Sequence, residues 1–483
     1  MFMGIDIGTS GVKAVVTASD GRVLSQCSAA LSVSRPQELW SEQAPDDWVD
    51  ATHRAVLGLD ADLRRAVAAI GLAGQMHGAT LLGADDRPLR PAILWNDGRS
   101  HAQCAALEAA EPQSRAITGN IAMPGFTAPK LLWVRDHEPE VFAATKTVLL
   151  PKDYVRLALT GEKASDMSDA AGTLWVDVAR RTWSEAMLAA TGLTLDHMPR
   201  LYEGPQITGH LRAEVAAQWG MEAVPVVAGA GDNAAGALGV GVTGEGQGML
   251  SLGTSGVIFV AGDAFRPNPA RAVHAFCHAL PGVWHQMSVH LSAASCIDWA
   301  ASACQVPGPA EFFALAESTG PCAGPELFLP YLSGERTPHN DPHLRAGFVG
   351  LSHETTTARL AAAVLEGVAF AHADGIDALR EAGTHIEELA VIGGGSRSLY
   401  WGHILASVLG VRLLYLEGGE VGPALGAARL AQLGMGGDPA AICTRPPIRA
   451  TIEPDLDLAA RLAPKRESFQ RATWALRQLQ ERF

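Results

Sequence analysis

Apolar residues along the chain follow two spacings, and their alternation predicts an α/β fold. Short apolar runs predict strands over residues 3–7, 12–16, 22–31, 67–74 and 388–392. Apolar residues three or four positions apart predict helices over residues 45–59, 360–381 and 398–409. Because strands alternate with helices, the pattern is typical of α/β domains.

One short sequence occurs twice, each time between two apolar runs. Residues 8–12 read Gly-Thr-Ser-Gly-Val, and residues 253–257 repeat these five letters. An apolar run, a turn of small residues and a second apolar run predict a β-hairpin. Since each copy opens about half of the chain, we expect two similarly built domains, residues 1–243 and 244–483. The boundary should lie in the glycine-rich stretch 239–248.

A last helix is predicted after Pro464, with apolar residues at alternating spacings of three and four. These residues are Phe469, Ala472, Leu476, Leu479 and Phe483. The stripe predicts a face packed on the rest of the chain or, alternatively, the seam of a dimer. We expect a homodimer.

Composition narrows the classes of function. Hydrophobic residues make up 48% of the chain and charged residues 18%, so the chain can bury a sizeable core. The net charge of −14 argues against a dedicated binder of nucleic acids or anionic membranes. The start of the chain lacks the basic region of a signal peptide, no run of about 18 apolar residues occurs, and the seven cysteines lack metal-site spacing. We therefore expect a cytoplasmic protein.

The repeated turns are candidates for an anion site. A Gly-Thr-Ser-Gly backbone can direct N–H groups and hydroxyls at one anion. A single copy would more simply be an ordinary tight turn, but two facing copies would form a clamp for a polyphosphate. The chain contains no Gly-Lys pair, which excludes a Walker A loop. The Gly-x-Gly-x-x-Gly at residues 239–244 follows a predicted helix rather than a strand, so we treat it as chance.

Asp6 is a carboxylate inside an apolar strand, two residues before the first turn. Burial of an unpaired carboxylate costs several kcal/mol in order of magnitude, so a compensating charge is expected. A Mg²⁺ ion held on phosphates would supply that charge. The alternative is a carboxylate bonded to backbone N–H groups. The second copy has Ser251 at this position, which favours a single active site served by both domains.

Asp232 follows the apolar run 226–230 and precedes small residues suited to a helix start. It is either the N-cap of that helix or a general base at a strand end. With an ordinary pKa it would be ionised at neutral pH and could deprotonate a hydroxyl that attacks phosphorus.

Other candidate loops also follow predicted strands. The glycines 393–395 would let a flat group such as adenine lie on the backbone, or would form only a turn. A similar turn and helix start is expected at residues 418–424. The loops 75–78 and 94–99 combine amide, imidazole and indole groups that suit a polyol, although His77 alone would be unremarkable.

Several of these segments carry a family resemblance. They are residues 4–13, 75–78, 94–99, 123–130, 149–154, 165–173, 231–236, 333–339 and 393–398. Together they resemble the FGGY carbohydrate kinases, within the actin/hexokinase/heat-shock-chaperone ATPase superfamily, and most closely the members that act on xylulose. The resemblance covers roughly residues 1–435.

The resemblance implies an α/β fold with two ribonuclease-H-like (actin-like ATPase) domains flanking a cleft, and ATP and Mg²⁺ as cofactors. It implies that Asp232 contacts the sugar as the catalytic base and that Asp6 positions the magnesium through water. Met76 and His77 would contact a ketose, D-xylulose or a close relative. Thr9 and Thr254 would face the phosphates, and Gly394 and Gly395 would lie near adenosine.

Rival functions remain open at this point. A sister kinase acting on ribulose, gluconate or glycerol is the nearest alternative. A chaperone or filament-forming protein built on the same ATPase core is more distant. A sugar sensor without catalysis is disfavoured, because Asp6 and Asp232 are both present.

Overall fold

The structure is a computed structural model that describes residues 1–417 and 422–480. Within these residues the chain forms two seven-stranded sheets, one in each half, with helices packed against them. Five two-stranded pairs flank the sheets, joining residues 42–43 to 92–93, 80–82 to 147–149, 164–166 to 200–202, 176–177 to 182–183, and 327–329 to 347–349.

The first sheet has the first copy of the repeated turn between its first two strands in chain order. Its strands are β1 (Phe2–Ile7), β2 (Gly11–Thr17), β3 (Val23–Ala30), β4 (Ala69–Gly74), β5 (Ile207–His210), β6 (Pro225–Val227) and β7 (Ala230–Gly231). The order across the sheet is β5-β6-β4-β1-β2-β3, and β7 continues beside β4. Strands β1, β6 and β7 are parallel to β4, whereas β2 and β3 are antiparallel to their neighbours.

The second sheet follows the same plan. Its strands are β8 (Gly246–Leu252), β9 (Gly256–Gly262), β10 (His274–Cys277), β11 (Trp284–His290), β12 (Ile386–Ile392), β13 (Arg412–Leu416) and β14 (Ile448–Ile452), in the order β10-β11-β9-β8-β12-β13-β14. Strand β8 is antiparallel to β9 and parallel to β12, as β1 is antiparallel to β2 and parallel to β4. The two predicted hairpins are therefore confirmed.

The identical letters form turns that differ slightly. In the first hairpin Ile7 pairs with Val12, whereas in the second Leu252 pairs with Gly256. The backbone pairing is therefore one residue tighter at the second turn, although the two sequences match at every position of the repeat.

Helices connect and cover the strands. In the first half they are α1 (Pro45–Leu57), α2 (Ala61–Arg65), α3 (His101–Ala110), α4 (Ser114–Thr118), α5 (Thr127–His137), α6 (Pro139–Ala144), α7 (Pro151–Thr160), α8 (Met167–Ala171), α9 (Glu185–Thr191), α10 (Ala213–Trp219) and α11 (Asp232–Gly239). In the second half they are α12 (Ala294–Ala303), α13 (Pro309–Thr319), α14 (Thr357–Glu381), α15 (Leu399–Leu409), α16 (Gly422–Gly434), α17 (Pro439–Ile442) and α18 (Leu456–Gln480). The predicted helices over 45–59, 360–381 and 398–409 are confirmed as α1, α14 and α15.

Helix α16 joins the two halves, because it comes from the second and packs on strands β1 and β4 of the first sheet and on α11. The approach is so close that a Cβ at Gly4 would collide with the Ala424 backbone, and one at Gly71 with the Ala427 backbone. The division of the chain at residues 243 and 244 stays a prediction. A turn and helix start were expected at residues 418–424. Residues 418–421 of this segment lie outside the described residues.

The prediction that the last helix starts after Pro464 is wrong. Helix α18 begins at Leu456, because the Asp455 carboxylate accepts hydrogen bonds from the N–H groups of Asp457 and Leu458 at 2.9 and 3.0 Å. Pro464 lies inside the helix. Phe469 is fully buried and Leu476 packs on the same core, whereas Leu479 is exposed and Phe483 lies outside the described residues.

Among the helices that the structure describes, none has both the length and the apolar character needed to cross a bilayer.

Candidate active site

The predicted residues of the first half lie where three parallel strands end side by side. In the pairing of the sheet, Ile7 of β1 and Gly231 of β7 both lie opposite Gly74 of β4. The first repeated turn, the loop that starts at Gln75, and Asp232 therefore leave the sheet at one edge. Because neighbouring strands are about 4.8 Å apart, the chains carrying Asp6 and Asp232 are separated by about 10 Å.

Asp232 is the first residue of α11 and not its N-cap, a position that Gly231 occupies. Its Oδ1 accepts hydrogen bonds from the backbone N–H and the side-chain amide of Asn233, at 2.7 and 2.9 Å. Burial raises the pKa of Asp232 to about 6, while the bonds from Asn233 act in the opposite direction. A carboxylate with this pKa is ionised at neutral pH and accepts a proton more readily than an ordinary aspartate.

The surroundings of Asp6 disfavour a negative charge on its carboxylate. Its Oδ1 is buried and has no hydrogen-bond partner among the described residues. Burial and, to a smaller extent, the nearby charge of Asp232 raise the pKa of Asp6 to about 7, while Lys13 on the neighbouring strand acts in the opposite direction. The alternative prediction for Asp6, a carboxylate bonded to backbone N–H groups, is therefore not met at Oδ1 among the described residues. Two acidic groups that disfavour each other's charge form a region where a cation would be stabilised.

Thr9 joins the first turn to the two candidate sugar loops. Its hydroxyl donates to Gln75 Oε1 at 2.9 Å and accepts from Trp95 Nε1 at 3.0 Å. Gln43 extends the network, because its Nε2 donates to the Thr9 carbonyl at 2.8 Å and its Oε1 accepts from Gln75 Nε2 at 3.0 Å. The proton of the Thr9 hydroxyl is therefore already used in the hydrogen bond to Gln75. The contact of Thr9 with a phosphate stays a prediction.

Met76 packs next to Asp232, and His77 follows Met76 in the chain. A Cβ at Gly231 would lie 3.0 Å from Met76 Cγ, so the methionine packs against the backbone one residue before Asp232. His77 Nδ1 lies 2.7 Å from the Gly172 carbonyl oxygen and donates to it, which leaves Nε2 as an acceptor. Burial lowers the pKa of His77 to about 3, and Lys130 adds to this. The imidazole is therefore neutral at working pH.

Aromatic rings from both halves meet next to His77. The ring of Phe126 lies 4.9 Å from His77, 5.5 Å from His274 and 6.1 Å from Phe276, measured between centroids. His274 and Phe276 belong to β10 of the second sheet, which places this edge of the second half directly against the loop of His77. Sequence reasoning missed these rings, because no local pattern brings position 126 next to positions 274 and 276.

The predicted nucleotide-side residues lie at the corresponding edge of the second sheet. Strands β8 and β12 are parallel and end together, so the turn with Thr254 adjoins the glycines that follow Ile392. Thr254 and Gly394 are exposed, and a Cβ at Gly394 would meet no atom within 4 Å. Gly395 is buried, and its Cβ would lie 2.7 Å from Leu252 and 2.8 Å from Trp401. Gly394 thus offers an open backbone surface, whereas Gly395 is required for packing.

A buried charge cluster lies behind Asp232. The ammonium of Lys152 contacts the carboxylates of Asp153, Asp166 and Asp169 at 2.7, 2.7 and 3.0 Å, and all four side chains are fully buried. Arg156 adds a second cation, 3.8 Å from Asp153. Burial raises the pKa of Asp169 well above its usual range. Three acidic side chains therefore face two cations in this cluster.

The cluster also holds the backbone that leads to Asp232. Arg156 donates to the carbonyl oxygen of Val227 at 2.7 Å and to that of Ala228. The Gly231 N–H donates to Ser168 Oγ at 3.0 Å, and the Ser168 N–H donates to Asp166 at 2.8 Å. The segment between β6 and α11 is therefore fixed from behind by buried charges.

The chain is similar to known proteins over nearly its whole length. Residues 1–239 match the family model described as "FGGY family of carbohydrate kinases, N-terminal domain", and residues 248–435 match its C-terminal counterpart. A protein of Escherichia coli (strain K12) named "Xylulose kinase" is 55% identical, and one of Klebsiella pneumoniae with the same name is 53% identical. Each alignment covers 98% of this chain and 98% of the relative.

A solved structure is equally similar. The crystal structure of a protein named "xyloylose kinase" from Brucella ovis superposes with a TM-score of 0.96 at 50% identity, over 99% of both chains. The predicted fold class, α/β with two actin-like ATPase domains, is confirmed by these matches.

Proposed function

The chain belongs to the FGGY family of carbohydrate kinases, and on that premise we propose that it transfers the γ-phosphoryl group of ATP to the terminal hydroxyl of D-xylulose. The products are D-xylulose 5-phosphate and ADP. The observation that carries the reaction is Asp232, a carboxylate with a raised pKa beside Met76 at an edge shared with the first repeated turn. The sugar is proposed from the names of the relatives that match over nearly their whole length.

Asp232 acts as the general base. Its free Oδ2 would accept the proton of the terminal hydroxyl, while Asn233 holds Oδ1 in place. Such a base contributes roughly 10²–10⁴-fold to a rate by order of magnitude. Closure of the two halves over the sugar would exclude water, which otherwise competes for the phosphoryl group.

Magnesium fits the first turn because of Asp6. A buried carboxylate oxygen without a protein partner is a position where a cation with its own water shell is stabilised, and Mg²⁺ usually keeps several waters. No cluster of three acidic, histidine or cysteine ligands was found in the part of the chain that the structure describes, which suits an ion held through water and phosphate. When bound, the ion would neutralise charge on the phosphates; Asp6 would orient its waters.

Sugar selectivity separates this proposal from the sister kinases. We expect kcat/KM for D-xylulose to exceed that for D-ribulose, gluconate and glycerol by at least about 10-fold, since even small differences in a fitted pocket discriminate by that factor. The measurement is ADP formation with a panel of sugars at fixed ATP. A clear preference for gluconate, glycerol or ribulose would contradict D-xylulose as the substrate but leave the kinase assignment intact. ATP hydrolysis that does not depend on any sugar would contradict both the substrate and the kinase assignment.

The pH profile tests the base itself. Because the base works only when ionised, and burial raises the pKa of Asp232 to about 6, kcat/KM should be constant near pH 8 and fall below about pH 6. The slope should approach tenfold per pH unit on the acid side. End-point ADP detection avoids coupling enzymes that lose activity in acid. A profile that stays flat down to pH 5 would contradict proton uptake by this carboxylate.

A homodimer and a cytoplasmic location stay predictions from the sequence. The chaperone and filament alternatives are not favoured by any specific feature of the site.

A further inference from the structure

Arg336 is a cation of the second half that the reaction described above does not use. Arg336 lies 62 positions after His274 in the chain, yet its Nη1 reaches His274 Nε2 at 3.4 Å. This long contact is the one hydrogen bond that its guanidinium makes among the described residues. By contrast, buried Arg99 is bound to two carboxylates, at 2.7 Å each. The rest of the guanidinium fork of Arg336 is therefore available to a ligand.

The backbone around Arg336 is firmly held. Glu335 Oε1 accepts hydrogen bonds from the N–H groups of Arg336 and Leu291, both at 2.9 Å. On the other side, Thr337 Oγ1 accepts from the Val289 N–H at 3.0 Å and donates to the Ala272 carbonyl at 2.9 Å. Glu335 and Thr337 are both buried. Two anchored neighbours therefore fix the backbone from which the Arg336 side chain extends.

The side chain points towards the sugar loop. His274, its partner, is buried against Phe126 next to His77, and the charge of Arg336 is one of the causes that lower the pKa of both histidines. His274 Nδ1 lies 3.0 Å from Asn120 Oδ1 and donates to it, so its Nε2 accepts from Arg336. Asn120 of the first half thus orients His274 of the second half for its contact with Arg336.

Together His77 and Arg336 present complementary groups. His77 Nε2 accepts a hydrogen bond, because Nδ1 donates to Gly172, whereas Arg336 can only donate. An α-hydroxyketone offers a hydroxyl donor next to a carbonyl acceptor. A sugar alcohol of the same length offers no carbonyl. We propose that Arg336 binds the carbonyl oxygen of the ketose while His77 accepts the adjacent hydroxyl, so that the second half selects open-chain ketoses over sugar alcohols.

This inference rests on the proposed function, and its test compares two ligands that differ only at the carbonyl. D-Xylulose and D-arabinitol, its C2-reduced form, are compared with wild type, Arg336→Met and Arg336→Lys; the alditol is measured as a substrate and as a competitive inhibitor. In Arg336→Met, kcat/KM for D-xylulose should fall about 10- to 100-fold, as expected for loss of a charged hydrogen bond. The alditol constants should change less than about 3-fold. Arg336→Lys, which keeps the charge without the fork, should fall between wild type and Arg336→Met.

The controls separate this role from others. Arg345→Met removes an exposed arginine of the same segment and should behave as wild type. The melting temperature and the KM for ATP of each Arg336 variant are measured alongside. Equal losses for ketose and alditol, or a loss in ATP affinity of similar size, would overturn the proposal, since a structural or phosphate-binding role would produce these results. Absence of wild-type activity on any ketose would instead overturn the proposed function.

Discussion

Replacing Asp232 with asparagine is expected to lower kcat by about 10²–10⁴-fold while KM for ATP changes little. Asparagine keeps the size of the side chain and can still be oriented by Asn233, but it cannot take the proton of the attacking hydroxyl. The raised pKa places the wild-type carboxylate near the operating pH, where general-base catalysis is most effective. The measurement is steady-state ADP formation with D-xylulose, accompanied by ATP binding to the variant.

Stability distinguishes lost chemistry from lost folding. A carboxyl whose pKa is higher in the folded state favours folding below its unfolded pKa, near 4, and that contribution is lost as the pH rises through about 6. At pH 8 the ionised Asp232 therefore weakens the fold, and Asp232→Asn should melt at a higher temperature than wild type. Asp196→Asn, at an exposed aspartate, is the matched control and should change neither activity nor melting. Near wild-type turnover in Asp232→Asn would contradict the assignment of the base.

The site could be predicted from the sequence where its parts lie within a short segment. The apolar runs around residues 8–12 and 253–257 predict hairpins because a strand–turn–strand unit is local. Asp6 stands out because a charge inside an apolar strand is costly. The one-residue difference between the two turns could not be predicted, since it depends on pairing along each whole strand.

The remainder of the site depends on contacts between distant segments. Arg336 meets His274 across 62 positions, and Asn120 meets His274 across 154. No periodicity or short spacing links such residues, so only the packed structure identifies them. The start of α18 differs from the prediction for a local reason. Proline is common at the first position of a helix, but here the Asp455 cap starts the helix before Pro464.

The cluster of Lys152 shows the same limit, because its four charges come from α7, the short strand Ala164–Asp166 and α8. Lys152→Met is expected to destabilise the fold by about 3–5 kcal/mol, since removal of one partner leaves buried carboxylates uncompensated. Only Arg156 would then face Asp153, Asp166 and Asp169. The measurement is chemical or thermal unfolding of the apo protein. Because the cluster holds the backbone before Asp232, kcat should fall as well.

The sign of the pH response identifies the cause of this loss. Without the ammonium, the buried carboxylates should have raised pKa values in the folded state, so the variant should regain stability as the pH falls from 8 towards 5. A cavity or a packing defect would give a loss independent of pH. Lys163→Met is the matched control: Lys163 pairs with Asp86 at 2.5 Å at the surface, with more than a third of each side chain exposed. Surface pairs contribute about 0–1 kcal/mol, so this variant should remain close to wild type. If Lys152→Met were no less stable than Lys163→Met, the buried cluster would not stabilise the segment that carries Asp232.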